Sequence, residues 1–416
     1  MSRGESALRQ TILQDALLDR WLDEALKLLR SGATAGSHYP EVWIRDLASF
    51  IGPALMVAEP AELRLALETF MGFQQDNGEI LDGYTQRGRS REDYDFHTQP
   101  LWPGLVAHKN SIEADQESSL VIATLAYLEH TGDVGFLTRP VAGRRVFDRL
   151  ISAMGFIKTH RWSDTYGLVW NGVTIDWGDV EPGFEKGRNL RPQSPRAIGI
   201  YTNALYSLAL DGMAKLAAMI DRDAAAFTLT RQELHRSVRQ HLWDEPRQKF
   251  IAHLYLTESP FRADFDEAKV YVHGGTGCAA MAGLLTHEEV LAAYHRMQAN
   301  RREAGARSIG ITVWPPYDEP DSPNPTYREP FFYQNAGDWP WFGSRMVLAL
   351  IKHGYFAEAY EACLEIVEMI DRSGAFYEWY TPSGDGRGAS AFRASAGVIA
   401  ECVTALKGWA GQAGDL

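Results

Sequence analysis

The chain has 416 residues, 45% hydrophobic and 23% charged, with a formal net charge of −13. These values exclude collagen, a disordered tail and a coiled coil as the main plan, and the acidity disfavours nucleic acid or an anionic membrane surface as partner. Three scattered cysteines, Cys278, Cys363 and Cys402, form no C-x-x-C pair, so neither a disulfide framework nor a zinc knuckle is expected.

The start, MSRGESALRQ, has no apolar core of the kind a secretory leader carries, and no apolar run approaches the ~18 residues of a membrane span, so a cytoplasmic protein is expected. Residues 38–50, HYPEVWIRDLASF, lead from aromatics into an apolar helix. Residues 76–112 are polar and show no helical period. The segment 118–130 repeats apolar positions at Leu120, Leu125 and Leu128 and stops at Gly132, placed as a C-cap. A further helix is expected from Asp133. Residues 171–197 are rich in Gly, Pro and charge. The stretch 201–220 carries an apolar stripe through Leu205, Leu208, Met213, Leu216 and Ile220. Runs 167–175, 249–256 and 271–275 suit short strands or extended loops. A helix starts after Thr286, a proline-rich loop covers 312–341, and 345–370 is again helical, broken at Gly354.

No fixed-period repeat supports a regular solenoid. Helical hairpins joined by long loops that hold Trp and Tyr predict one all-α domain over residues 1–416. The expected architecture is an (α/α)6 toroid, a six-hairpin barrel of about twelve helices with a loop-built pocket at one end. The sequence sets no oligomeric state.

The 12 Trp and 17 Tyr point to the chemistry, because many lie in polar loops beside carboxylates. Such pairs suit sugars, whose C–H faces stack on rings while their hydroxyls need polar partners. In 38–50, Tyr39 and Trp43 precede Arg45 and Asp46; Asp46 either accepts sugar hydroxyls or caps a helix beginning at Leu47. In 113–120, EADQESSL, Asp115 is expected to cap the following helix, or with Gln116 to line the pocket. In 171–183, Asp176, Trp177 and Asp179 offer carboxyls against an indole, which raises a pKa as a general acid requires. In 331–343, Gln334, Asn335, Gly337, Asp338, Trp339 and Trp341 combine amides, a carboxylate and stacking faces; Asp338 could equally cap a helix with Pro340 in its first turn. In 374–388, Glu378 sits between Tyr377 and Trp379. Two carboxylates distant in sequence, each among aromatics, are what glycoside hydrolysis uses. No G-x-S-x-G, H-E-x-x-H, phosphate loop or dinucleotide fingerprint occurs, and the histidines show no metal-ligand spacing, so no metal and no organic cofactor is expected.

These loops resemble those of the (α/α)6-barrel glycoside hydrolases acting on α-glucosidic bonds: alkaline/neutral invertases, processing α-glucosidases, trehalases, glucoamylases and glycogen-debranching glucosidases. The nearest motifs are those of alkaline/neutral invertases. Their aromatic-x-x-V-F-[IV]-R-D segment is similar to YPEVWIRD, their hydrophobic-Ile-Asp segment to Thr174-Ile175-Asp176, their Y-H-N-G-G-x-W-P loop to YQNAGDWP from Tyr333, and their E-Y-Y segment to EWYT from Glu378. The matches run in order over residues 38–400. The resemblance implies Asp176 as general acid, Glu378 as general base, Asp46 and Arg45 shaping the pocket of the cleaved sugar, Trp339 and Gln334 lining it, and inverting hydrolysis with no metal or cofactor. Here Asp176 is followed by Trp177-Gly178-Asp179 instead of two arginines, so Asp179 competes for the acid role. The expected function is thus an inverting glycoside hydrolase taking a small carbohydrate. A sugar epimerase or polysaccharide lyase on the same toroid would commonly use His or Tyr as base and is expected to show His or Arg clusters in the loops, with His97, His108 and His273 the candidates, and a non-catalytic sugar-binding relative is the third alternative.

Overall fold

The computed structural model describes residues 3–90, 94–183 and 188–412. Residues 91–93 and 184–187, inside two of the expected loops, lie outside the described residues, as do both ends of the expected domain span.

Fourteen α-helices follow one another among the described residues. The first seven are α1 (Arg3–Gln14), α2 (Ala16–Leu29), α3 (Ile44–Ala54), α4 (Pro60–Phe73), α5 (Gln116–Thr131), α6 (Val146–His160) and α7 (Ile200–Met219). The rest are α8 (Ala225–His241), α9 (His273–Met281), α10 (His287–Ala304), the single turn α11 (Pro325–Arg328), α12 (Pro340–Lys352), α13 (Phe356–Ser373) and α14 (Arg393–Gly411). The sequence periods find α5 and α7 to within two residues. The helix expected from Asp133 is instead a short 3₁₀ turn, Val134–Thr138. Gly132 takes the left-handed C-cap conformation at φ 67°, and Thr286 closes a capping box with Glu289 at the start of α10.

Helix packing closes on itself. Helix α3 packs on α5, α5 on α7, α7 on α9, α9 on α12, α12 on α14, and α14 returns to α3. These helices are buried nearly all round: α9, HGGTGCAAM, buries every residue but its last, which is partly buried, and α7 buries fourteen of its twenty residues. A helix apolar on every face belongs inside a protein. The outer helices pack on this ring and are one-sided; α8 buries only Leu234 and Val238. This arrangement is an α/α toroid.

The loops that enter the ring helices are stapled by small antiparallel sheets. Val42–Trp43, just before α3, pairs with Gly83–Gln86, which pairs with Leu105–His108. Asn171–Gly172 and Leu254–Tyr255 flank Arg196–Ile198, just before α7. Tyr271–Val272, before α9, pairs with Val313–Trp314. Asp338 bridges to Ile311 and to Tyr380, joining the entries of α12 and α14. No helix among the described residues is long and apolar enough to cross a membrane.

Candidate active site

A cavity of about 450 Å³ opens among the loops that enter the ring helices. Helix α3 begins at Ile44, so Arg45 and Asp46 occupy its first turn and Asp46 is not its cap, contrary to one sequence expectation. Both line the cavity, with Tyr39 and Trp43 from the preceding loop. Arg45 is fixed from behind: Nε donates to Asp115 Oδ2 at 2.7 Å, Nη2 to Asp115 Oδ1 at 3.3 Å, and the guanidinium also contacts Glu113. Burial works against its charge, but Asp115, Tyr201, Asp82 and Asp179 together outweigh that and hold the pKa above the ordinary value. Asp115 stands at the N-cap position of α5 without capping it. Its carboxylate is spent on Arg45 and on the hydroxyl of Tyr201, 3.1 Å away. Neither Asp115 nor Gln116 reaches the cavity wall; Gln116 is buried against Lys109, Asn110 and Glu113.

Two candidate acids stand three residues apart, and the structure separates them. Asp176, at φ 58°, is not in the cavity wall. Its Oδ2 accepts the backbone N–H of Gly275 at 2.7 Å, in the first turn of α9, so the carboxylate anchors the loop on a helix N-terminus. The acid position that the resemblance implies for Asp176 therefore lies outside the cavity, because the chain turns between it and Asp179. Asp179 lines the cavity, and Gln334 Nε2 donates to its Oδ1 at 2.7 Å. Gly178 permits this approach: at φ 148°, a Cβ there would stand 2.2 Å from Gln334 Oε1.

Glu378 lines the same cavity. The Tyr39 hydroxyl lies 2.9 and 3.2 Å from its two oxygens, and the Ala389 N–H donates to Oε2 at 3.3 Å. Burial pushes its pKa up to about 7 against these donors, and the negative charge of Asp179 adds to the rise. Gly388, at φ +70°, lets the backbone press on the carboxylate, since a Cβ would come within 2.3 Å of Oε2. Burial likewise pushes Asp46 and Asp82 up to about 7, opposed in both by Arg45.

Trp177, Trp339 and Trp341 line the cavity as an aromatic cluster. Trp177 meets Trp339 edge-on at 4.8 Å and Trp341 at 5.6 Å, and the Arg45 guanidinium lies 5.5 Å from its ring centre. Trp339 Nε1 donates to the Tyr333 carbonyl at 2.9 Å. The loop carrying them holds Phe331, Tyr333 and Ala336 at positive φ, backbone strain of the kind that gathers at functional sites.

Four other expected site residues serve the scaffold instead. Asn335 exchanges two hydrogen bonds, each 2.8 Å, with the backbone of Tyr317. The Gly337 carbonyl accepts from Thr312 N–H. Asp338 is buried and accepts from the N–H and hydroxyl of Ser308; α12 starts at Pro340, so Asp338 does not cap it. Trp379 is buried behind the wall, 6.4 Å from the Tyr333 ring. The wall also contains Tyr333, from the aromatic motif 331–343, and His38, Glu41, Asp82, Tyr94, Glu113 and Arg188, which are not among the expected site residues. Glu41 and Glu113 sit inside the motifs HYPEVW and EADQ, so adjacency was an available signal; Asp82 and Arg188 come from stretches without one. Among the described residues no three His, Cys, Asp or Glu side chains are grouped to hold a metal ion.

No protein-family model matches the sequence, and no curated protein sequence does. Solved structures do match in fold. The GH63 mannosylglycerate hydrolase of Thermus thermophilus, in complex with glucose, aligns over 92% of this chain and 99% of its own, with TM-score 0.64 and 16% identity. A rhamnosidase from Klebsiella oxytoca with rhamnose bound aligns over 93% of this chain and 63% of its own, with TM-score 0.61 and 15% identity. The GH78 rhamnosidase of Bacillus sp. GL1 aligns over 94% of this chain and 35% of its own, with TM-score 0.62 and 16% identity. The chain thus shares the fold of α/α-barrel glycoside hydrolases.

Proposed function

We propose that the protein is an inverting glycoside hydrolase that cleaves an α-glucosidic bond in a small glucoside or at an oligosaccharide end, with Asp179 as general acid and Glu378 as general base. One observation carries this reading: two carboxyl groups from loops about 200 residues apart line one aromatic cavity. Its volume, about 450 Å³, falls within the range of small-ligand sites. We read the toroid as the six-hairpin (α/α)6 form.

Asp179, oriented by Gln334, gives its proton to the glycosidic oxygen as the bond breaks. Glu378 takes a proton from the water that attacks the opposite face of the sugar, so the anomeric centre inverts. Asp46 and Arg45 supply an acceptor and a donor for the sugar hydroxyls, and the tryptophans offer stacking faces. Asp176 anchors the acid loop. The three histidines offered for an epimerase or lyase do not serve that reading, since burial pushes His108 and His273 down to about 3 and neither they nor His97 line the cavity; the wall does hold His38, beside the two carboxyls assigned here.

The test is hydrolysis of a panel of sucrose, trehalose, kojibiose, nigerose, maltose, isomaltose and glucosylglycerate, with mannosylglycerate and an α-rhamnoside added from the likenesses in fold. Release of a monosaccharide by the wild type but not by Glu378→Gln supports the reading. Release only from the last two compounds moves the sugar away from glucose. Full activity of the variant removes Glu378 from the mechanism.

A further inference from the structure

A polar cluster outside the cavity wall touches the acid loop from another direction. Glu267 Oε1 accepts the hydroxyls of Tyr255 and Tyr317, each at 2.8 Å, and faces His253 Nδ1 at 2.9 Å. The other ring nitrogen, Nε2, lies 2.7 Å from the carbonyl oxygen of Thr174. The His253 side chain is 5% exposed and Tyr317 is fully buried. A carbonyl oxygen and a carboxylate both accept, so both ring nitrogens must donate, whereas a neutral imidazole carries one N–H. The geometry suits an imidazolium paired with a carboxylate, with the Tyr255 hydroxyl a second neighbour of Nδ1 at 3.3 Å. Burial raises the Glu267 pKa, but His253 and the two tyrosines outweigh it and hold it below the ordinary value.

Thr174 precedes Asp179 by five residues, and the intervening loop is fixed at several points. Asp176 is held by Gly275, the Asp179 carboxyl by Gln334, the Asp179 carbonyl by Asn110 at 2.7 Å, and the Val180 carbonyl by Tyr327 at 2.8 Å. The hold on Thr174 is the one among these that ends on an ion pair. We propose that His253 and Glu267 are positioning residues for the general acid: their ion pair locks the Thr174 carbonyl and thereby aims the Asp179 carboxyl at the leaving-group oxygen. This rests on the hydrolase reading above.

A misaimed acid harms only those substrates whose leaving group needs a proton. A glycosyl fluoride needs none, because its C–F bond breaks to give a fluoride ion while Glu378 still activates water. The experiment compares wild type with Glu267→Gln on the cleaved α-glycoside and on the α-fluoride of the same sugar. Gln keeps an acceptor for the two tyrosines and removes the charge. The kcat for the glycoside should fall on the order of 10–100-fold, since a small misplacement of a reacting group costs that much. The kcat for the fluoride should fall less than about threefold, because it draws nothing from general acid catalysis. Asp179→Asn should show the same selective pattern in stronger form. Equal falls on both substrates, or no fall on either, overturns the inference. Should Glu267→Gln not fold, Tyr255→Phe loosens the same carboxylate more gently; a changed ratio of the two rates supports the inference and an unchanged ratio overturns it. A wild type inactive on both substrates overturns the hydrolase reading and this inference with it, whereas an active wild type with unaltered ratios in the variants overturns this inference alone.

Discussion

Replacing Asp176 by Asn separates loop anchoring from acid catalysis. The Asp176 side chain is buried, its Oδ2 takes the Gly275 N–H, and its Oδ1 has no hydrogen-bond partner among the described residues. Burial pushes its pKa from 3.8 to about 7, against the Gly275 N–H. An acid whose folded-state value is raised contributes stability that is complete below its unfolded value and is lost as pH rises through the folded one. Between pH 5 and 8 that loss amounts to about 2–3 kcal/mol. Asn has no proton to lose, offers Gly275 the same acceptor and tolerates the φ of 58°. The stability of Asp176→Asn relative to wild type should therefore rise by about 2–3 kcal/mol from pH 5 to pH 8, measured by denaturant unfolding at both values. Its activity should stay within about tenfold of wild type, while Asp179→Asn loses about 10²–10⁴-fold. A well-folded Asp176→Asn protein as inactive as Asp179→Asn would refute the assignment and return the acid to residue 176.

Glu378→Gln should lose about 10²–10⁴-fold in kcat yet still bind the sugar by calorimetry; loss of binding with intact turnover of bound substrate would contradict a base role. The kcat/KM of wild type should climb as pH rises through about 7, because Glu378 must shed its proton to act. Burial pushes Asp46 and Asp82 up to about 7 as well, so this limb belongs to the three acids together; a limb at the ordinary glutamate value would count against the buried base. Tyr39→Phe removes the hydroxyl at 2.9 Å from Glu378 and should move that limb upward by about one pH unit. Gly388→Ala places a Cβ 2.3 Å from Glu378 Oε2 at φ +70°, and should cost about 1–3 kcal/mol in unfolding experiments together with most of the activity.

Much of the scaffold was legible because the helical stripes are strong. Leu205, Met213 and Leu216 mark α7 as a buried helix, and Thr286 with Glu289 announces the start of α10 through its capping box. Ring closure was legible only as a consequence of hairpin number and loop length. At the site, Tyr39, Trp43, Arg45, Asp46, Trp177, Trp339, Trp341 and Glu378 could be found because aromatics beside charges stood in otherwise structureless loops. Which of Asp176 and Asp179 lines the cavity was out of reach, since it depends on φ values of 58° at Asp176 and 148° at Gly178 that spacing does not encode. Local sequence offers Asp115 only as a cap or as a pocket residue, because its partner Arg45 lies 70 residues away. Asp82 and Arg188 come from polar stretches with no period, and only the folded ring brings them to the cavity.

The most direct measurement is proton NMR of the sugar first released from an α-linked substrate, followed before mutarotation sets in. Asp179 and Glu378 working on opposite faces of one sugar predict that the β-anomer appears first. First appearance of the α-anomer, or no release from any α-linked member of the panel, would contradict the account.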